Sequence, residues 1–132
     1  MRILAFALIA LAFPAAAGER EAGIQSIIRQ QIAAFRANDL ERAFSFASPD
    51  IRAMFGNAQN FGRMVQQGYP MVWRPDDVRM GELSEQAGRL VQAVILRDAT
   101  GALFIADYEM IEVGGAWRID GVRIRRFEEA GI

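Results

Sequence analysis

The chain has 132 residues, a formal net charge of −1, and neither histidine nor cysteine. Those two absences exclude Ser-His-Asp and Cys-His nucleophiles, histidine acid–base chemistry, disulfides, and His/Cys sites for zinc, copper or haem, so no metal and no cofactor is expected. All 15 basic residues are arginine and none form a block, which leaves no electrostatic footprint for nucleic acid.

In chain order, Met1-Arg2, the apolar run 3–13, Pro14 and Ala15-Ala16-Ala17 have the three regions of a secretory signal peptide. The run is shorter than the roughly 20 residues that span a bilayer. The expectation is a leader over residues 1–17, cleaved near Ala17, and a periplasmic or secreted product with no stable membrane anchor. Residues 18–132 then form a single α+β domain, a length that supports one core and not two.

Helix signals begin at Glu19. Ile24, Ile27, Ile28, Ile32 and Phe35 recur at three- and four-residue steps and make one apolar stripe, with Arg29 and Arg36 off it. Asp39 is placed to cap a second helix that turns Leu40, Ala43, Phe44 and Ala47 inward. Ser48-Pro49-Asp50 starts a short third helix, with serine as cap, proline in the first position and an acid in the first turn. Gly56 ends it. Asn57 caps a fourth, with Phe61, Met64 and Val65 on one face and Gly68 as terminator. Residues 69–73 read as a short extended segment, because Pro70 and Pro75 mark an edge strand or a rim loop. A strand over 78–86, interrupted by Gly81, turns at Ala87-Gly88 into the last part of the chain.

That last part, residues 89–127, is a meander of three strands. Asp98-Ala99-Thr100-Gly101 suits a type I turn with glycine in the left-handed position, and Gly114-Gly115 suits a two-residue hairpin loop. These turns set the register. Leu96 pairs with Phe104, Val94 with Ala106, Gln92 with Tyr108, Met110 with Ile119 and Glu112 with Trp117. One face then collects Leu90, Val94, Leu96, Phe104, Ala106, Met110, Ile119 and Trp117, with Gln92 and Tyr108 as its polar exceptions. A bulge at Asp120-Gly121 keeps Val122 and Ile124 on that face. The other face carries Asp107, Glu109, Arg118, Arg123 and Arg125 among Ile95, Leu103 and Ile105. A two-residue first turn would instead put Val91, Ala93 and Ile95 inside; the glycine-bulge register is preferred.

Helices followed by a bent antiparallel sheet give an α+β class. Ala43-Phe44-Ser45-Phe46-Ala47-Ser48-Pro49-Asp50-Ile51, Phe61-Gly62-Arg63-Met64-Val65, Gly68-Tyr69-Pro70 with Arg74-Pro75, and Trp117-Arg118-Ile119 before Gly121-Val122 resemble an uncharacterised bacterial exported family known as a domain of unknown function. That family is in turn similar to the nuclear-transport-factor-2-like (SnoaL-like, cystatin-like) superfamily, in which helices close over a curved sheet to make a cone. The resemblance implies a pocket inside the cone and transfers no activity, since this fold hosts enzymes and binding modules alike.

Five residues are candidates for ligand binding. Gln92 and Tyr108 project an amide and a phenol among apolar neighbours, either into a pocket or into a filled core where they bond each other or backbone groups. Tyr69, Trp73 and Arg74 stand at the expected rim, where aromatics and an arginine suit a flat or anionic partner; packing of Tyr69 and Trp73 in the core is the competing reading. No residue is assigned to catalysis and Asp76-Asp77 is read as a solvated turn. The expected function is a non-catalytic exported module that binds a small apolar or amphipathic molecule, or a protein partner. The alternative is a cofactor-free lyase or isomerase using Tyr108 with a carboxylate not yet identified. The apolar residues on the outward face of the meander further predict a homodimer formed through the sheet.

Overall fold

The structure, a computed structural model, describes residues 12–127. Among them five helices precede four strands: α1 (Ala12–Arg36), α2 (Leu40–Ser45), α3 (Pro49–Phe55), α4 (Ala58–Gly68), α5 (Pro70–Trp73), β1 (Asp77–Gln86), β2 (Arg89–Arg97), β3 (Leu103–Val113) and β4 (Ala116–Arg126). The helices pack on one face of an open antiparallel sheet of order β1-β2-β3-β4, the expected α+β arrangement. The leader expected over residues 1–17 falls mainly on residues 1–11, outside the described residues. The helix expected to start at Glu19 already begins at Ala12, in keeping with the high helix propensity of its alanines.

Local chemistry explains the helix boundaries. Asp39 accepts from Arg42 N at 3.2 Å, Ser48 Oγ from Ile51 N at 3.2 Å, and Asn57 Oδ1 from Asn60 N at 2.8 Å. Each side chain thereby satisfies one of the N–H groups that a helix start leaves unpaired. Gly56 ends α3 at φ +81°, a conformation in which a Cβ would be strained. Residues 69–73 correct the extended reading: Pro70 opens the short helix α5. Proline at the first helical position sacrifices no hydrogen bond and has the right φ, so here it marks a start and not a sheet edge.

The sheet has the expected register. Gln92 stands opposite Tyr108, Val94 opposite Ala106 and Leu96 opposite Phe104, while Met110 faces Ile119 and Glu112 faces Trp117. Asp120 is the extra residue of a bulge in β4, and beyond it Val122 and Ile124 return to the helix-facing side. A second bulge lies in β1 between Met80 and Leu83, at the glycine that interrupts this strand.

The core lies between the layers. Ile24, Ile28, Ile32 and Phe35 of α1, Phe44 of α2, and Phe61 and Val65 of α4 meet Val94, Leu96, Ala106, Met110 and Ile119 of the sheet. Each of these side chains larger than alanine contributes roughly 1.5–3 kcal/mol by leaving water. Gly62 lets α4 approach α2 closely, since a Cβ there would lie 2.7 Å from Leu40 Cδ2. The segment between α2 and α3 is fastened to β4 by two backbone bonds, Ile119 N to Phe46 O at 2.9 Å and Ser48 N to Ile119 O at 2.8 Å. This fastening places the start of α3 directly over the β4 bulge.

On the opposite face of the sheet, Arg125 grips Asp107 with Nε and Nη2 at 2.7 and 3.1 Å. Glu109 pairs with Arg89 of β2 at 2.6 Å, not with an arginine of β4.

Candidate functional site

The helices do not fill the space over β4. α1, α3, α4 and α5 together with the β4 bulge enclose a cavity of about 370 Å³. Its walls are Phe35 of α1, Ile51, Met54 and Phe55 of α3, Phe61, Met64 and Val65 of α4, Val72 of α5, and Ile119, Gly121 and Val122 of β4. The volume lies in the range of small-molecule sites. Met54 is 71% exposed, so the cavity meets solvent along α3. That helix has no buried residue of its own and is the thinnest wall.

Two side chains with polar heads line the cavity, Gln31 and Tyr69, and no charged residue does. Gln31 is only 3% exposed, and its Nε2 donates to Ala43 O at 3.1 Å. Tyr69 follows α4 and caps α5 through its backbone, which sets its ring at the junction of the two helices. With no carboxylate, histidine or thiol in the lining, the arrangement offers packing and hydrogen bonding and no acid–base pair. Among the described residues no group of three or more Asp or Glu side chains is placed to hold a metal ion.

The five residues singled out from the sequence occupy three places. Tyr69 lines the cavity. Trp73 and Arg74 do not: the Trp73 ring packs on Phe35 with centroids 5.5 Å apart, and the Arg74 guanidinium lies 4.4 Å above the Trp73 ring. Arg74 donates to Phe35 O at 2.8 Å and to Asn38 Oδ1 at 2.8 Å. It thus adds a second hydrogen bond to a carbonyl in the last turn of α1 that already accepts from Asn38 N at 3.0 Å.

Gln92 and Tyr108 are fully buried and directly opposite each other, but neither lines the cavity. Gln92 Nε2 donates to both Gly81 O and Ala93 O at 2.9 Å, two carbonyls at the β1 bulge. The amide therefore acts as a clamp on a strand irregularity. Gln92 Oε1 and the Tyr108 hydroxyl have no hydrogen-bond partner among the described residues, so no carboxylate bonds to that phenol. Burial pushes the Tyr108 pKa well above the usual tyrosine range, because the phenolate would be stripped of water.

Gln31 was not singled out from the sequence, although a signal was present. It stands seven residues after Ile24, three after Ile28 and four before Phe35, on the apolar stripe of α1 where a polar residue needs a reason.

Residues 17–132 match the family described as a domain of unknown function, DUF4864, and the chain belongs to that family. No curated protein matches it, and no solved structure does.

Proposed function

We propose that this member of the DUF4864 family is an exported, non-catalytic module that holds a small apolar or amphipathic molecule in the cavity beneath α3. The observation that carries the reading is the cavity itself: about 370 Å³, walled by aromatic, methionine and aliphatic side chains, and free of charge. Apolar ligand surface that leaves water against these walls supplies the affinity. At roughly 0.5 kcal/mol per heavy atom, an occupant of about a dozen atoms binds in the tens of micromolar. The order of helices followed by a bulged antiparallel sheet supports a nuclear-transport-factor-2-like cone as the framework. The signal-peptide pattern of residues 1–17 supports export.

Titration with the neutral fluorophore N-phenyl-1-naphthylamine tests the reading. The expected result is a saturable, one-site rise in emission at micromolar protein. A linear, non-saturating rise overturns it.

A second reading concerns assembly. The face of the sheet away from the helices carries Ile95, Leu103, Ile105 and Ile111, and Leu103 and Ile111 are 41% and 36% exposed. A solvated sheet face carries cleaner polar alternation, and this one supports a two-fold dimer through the sheet.

A further inference from the structure

The cavity selects among apolar molecules by charge and by hydrogen-bonding sense. We infer that its occupant is an uncharged amphiphile of about a dozen heavy atoms whose polar end is a hydrogen-bond donor, a hydroxyl or an N–H group, read by Gln31. This inference rests on the binding function proposed above.

Size comes first. At about 30 Å³ for each water-sized group, a space of about 370 Å³ holds a medium chain or a bicyclic skeleton and excludes a full diacyl lipid. Charge comes second. None of the lining residues is ionic, and three arginines of the helical layer are engaged elsewhere. Arg36 donates to Pro75 O and Arg74 to Phe35 O, while Arg52 lies over the outer side of the Phe44 ring at 5.3 Å. A fatty carboxylate in this space would give up its hydration for no cation, a large cost.

Hydrogen-bonding sense comes third. Nε2 of Gln31 is held by Ala43 O at 3.1 Å, and this bond fixes which end of the amide is which. Oε1 has no donor among the described residues and, unlike Gln92 Oε1, keeps access to a water-sized molecule, as an atom on the cavity wall does. An acceptor so placed is matched by O–H or N–H and by neither an ether nor a carboxylate. The second hydrogen on Nε2 is one neutral donor, too little to compensate a buried anion. Tyr69, half-buried at the junction of α4 and α5, supplies the other polar head in the lining.

The test displaces bound N-phenyl-1-naphthylamine with three chain-matched competitors, 1-decanol and its methyl ether below their solubility limits and decanoate at pH 8 below its micellar concentration. On the unsubstituted chain, 1-decanol is expected to displace the probe at about tenfold lower concentration than either of the others, the discrimination typical of a buried group left unpaired. Gln31→Leu is expected to erase the preference for the alcohol over the ether. Equal midpoints for alcohol and decanoate, or for alcohol and ether, overturn the inference and leave the pocket standing. If the fluorophore itself does not bind saturably, the proposed function and this inference fall together. The alcohol-to-ether ratio on the parent chain needs no variant, so misfolding of Gln31→Leu does not blunt the test.

Discussion

Ser48 joins the helical layer to the sheet at the wall of the cavity, and Ser48→Ala measures that joint. The residue is fully buried. Its Oγ caps α3 by accepting from Ile51 N at 3.2 Å and donates to Asp120 Oδ1, on the β4 bulge, at 2.7 Å. Losing an N-cap costs about 0.5–2 kcal/mol, and a hydrogen bond to a carboxylate about 1.5–3 kcal/mol. Asp120 is only half-buried and regains water when the hydroxyl is gone, so part of the second amount is returned. The expected loss is about 2–3 kcal/mol, or about 10 °C in Tm for a domain of this size. Urea unfolding followed by the fluorescence of Trp73 and Trp117 is the assay. Because Ile51, Met54 and Phe55 of α3 line the cavity, the same variant is expected to bind N-phenyl-1-naphthylamine more weakly. The backbone bonds of Ser48 to Ile119 and Arg52 survive the change and keep the fold assembled. Combined with Asp120→Ala in a double-mutant cycle, the two losses are expected to fall short of additivity by about 1 kcal/mol or more. A Ser48→Ala protein within about 0.5 kcal/mol of the parent would refute the joint.

Three further outcomes follow from the same structure. Tyr108→Phe removes a buried hydroxyl without a partner and is expected to raise stability by about 1 kcal/mol at pH 7; a loss of that size would show the hydroxyl to be bonded in solution. The parent's stability is flat with respect to this group below pH 10.0, the ordinary tyrosine value. Above it the unfolded chain releases the proton that the folded chain keeps, so stability falls with rising pH by up to about 1.4 kcal/mol per unit, and Tyr108→Phe is expected to lack that component. Sedimentation velocity at micromolar concentration is expected to show a dimeric parent and a monomeric Leu103→Glu, since Leu103 lies at the outer face of β3 and is 41% exposed, whereas Ile105 on the same face is already buried within the chain; a monomeric parent removes the dimer. Mass spectrometry of the protein recovered from cells is expected to find a mature N-terminus at or near Gly18, and an intact Met1 in the cytoplasm contradicts export.

What could be read in the sequence was local. Asp98-Ala99-Thr100-Gly101 dictates its own turn, with Asp98 Oδ1 accepting from Thr100 N and Ala102 N and Gly101 at φ +89°. From that turn and Gly114-Gly115 the pairing of Gln92 with Tyr108 follows by counting. The caps Asp39, Ser48 and Asn57 are legible for the same reason: each acts within three residues of itself. The bulge at Asp120 was legible as a slip in apolar phase.

What was missed depends on distant partners. Pro70 has the same appearance whether it begins a helix or borders a sheet, and the packing of Val72 into the core and of Trp73 on Phe35 favours the helix. Arg74 reads as a free rim cation until Phe35 and Asn38, 39 and 36 residues away, are seen to hold it. Glu109 finds Arg89 because β2 is its neighbour on the other side and the bulge sets Gly121 opposite it in β4. The cavity's place in the fold has no signature in periodicity or turn chemistry. It is volume left between α1, α3, α4, α5 and β4, and only Gln31 on an otherwise apolar stripe hints at it.

The central claim, that the space beneath α3 is a binding site, is tested most directly by filling it. Val65 is buried on α4 and faces the cavity, so Val65→Phe adds a ring to the volume that a ligand would occupy. Fluorescence titration of N-phenyl-1-naphthylamine against the parent and this variant, each verified as folded by circular dichroism, is the measurement. The account predicts saturable binding to the parent and at least about tenfold weaker binding to Val65→Phe, a difference of about 1.4 kcal/mol. Equal affinity for the two proteins would place the probe elsewhere and contradict the account.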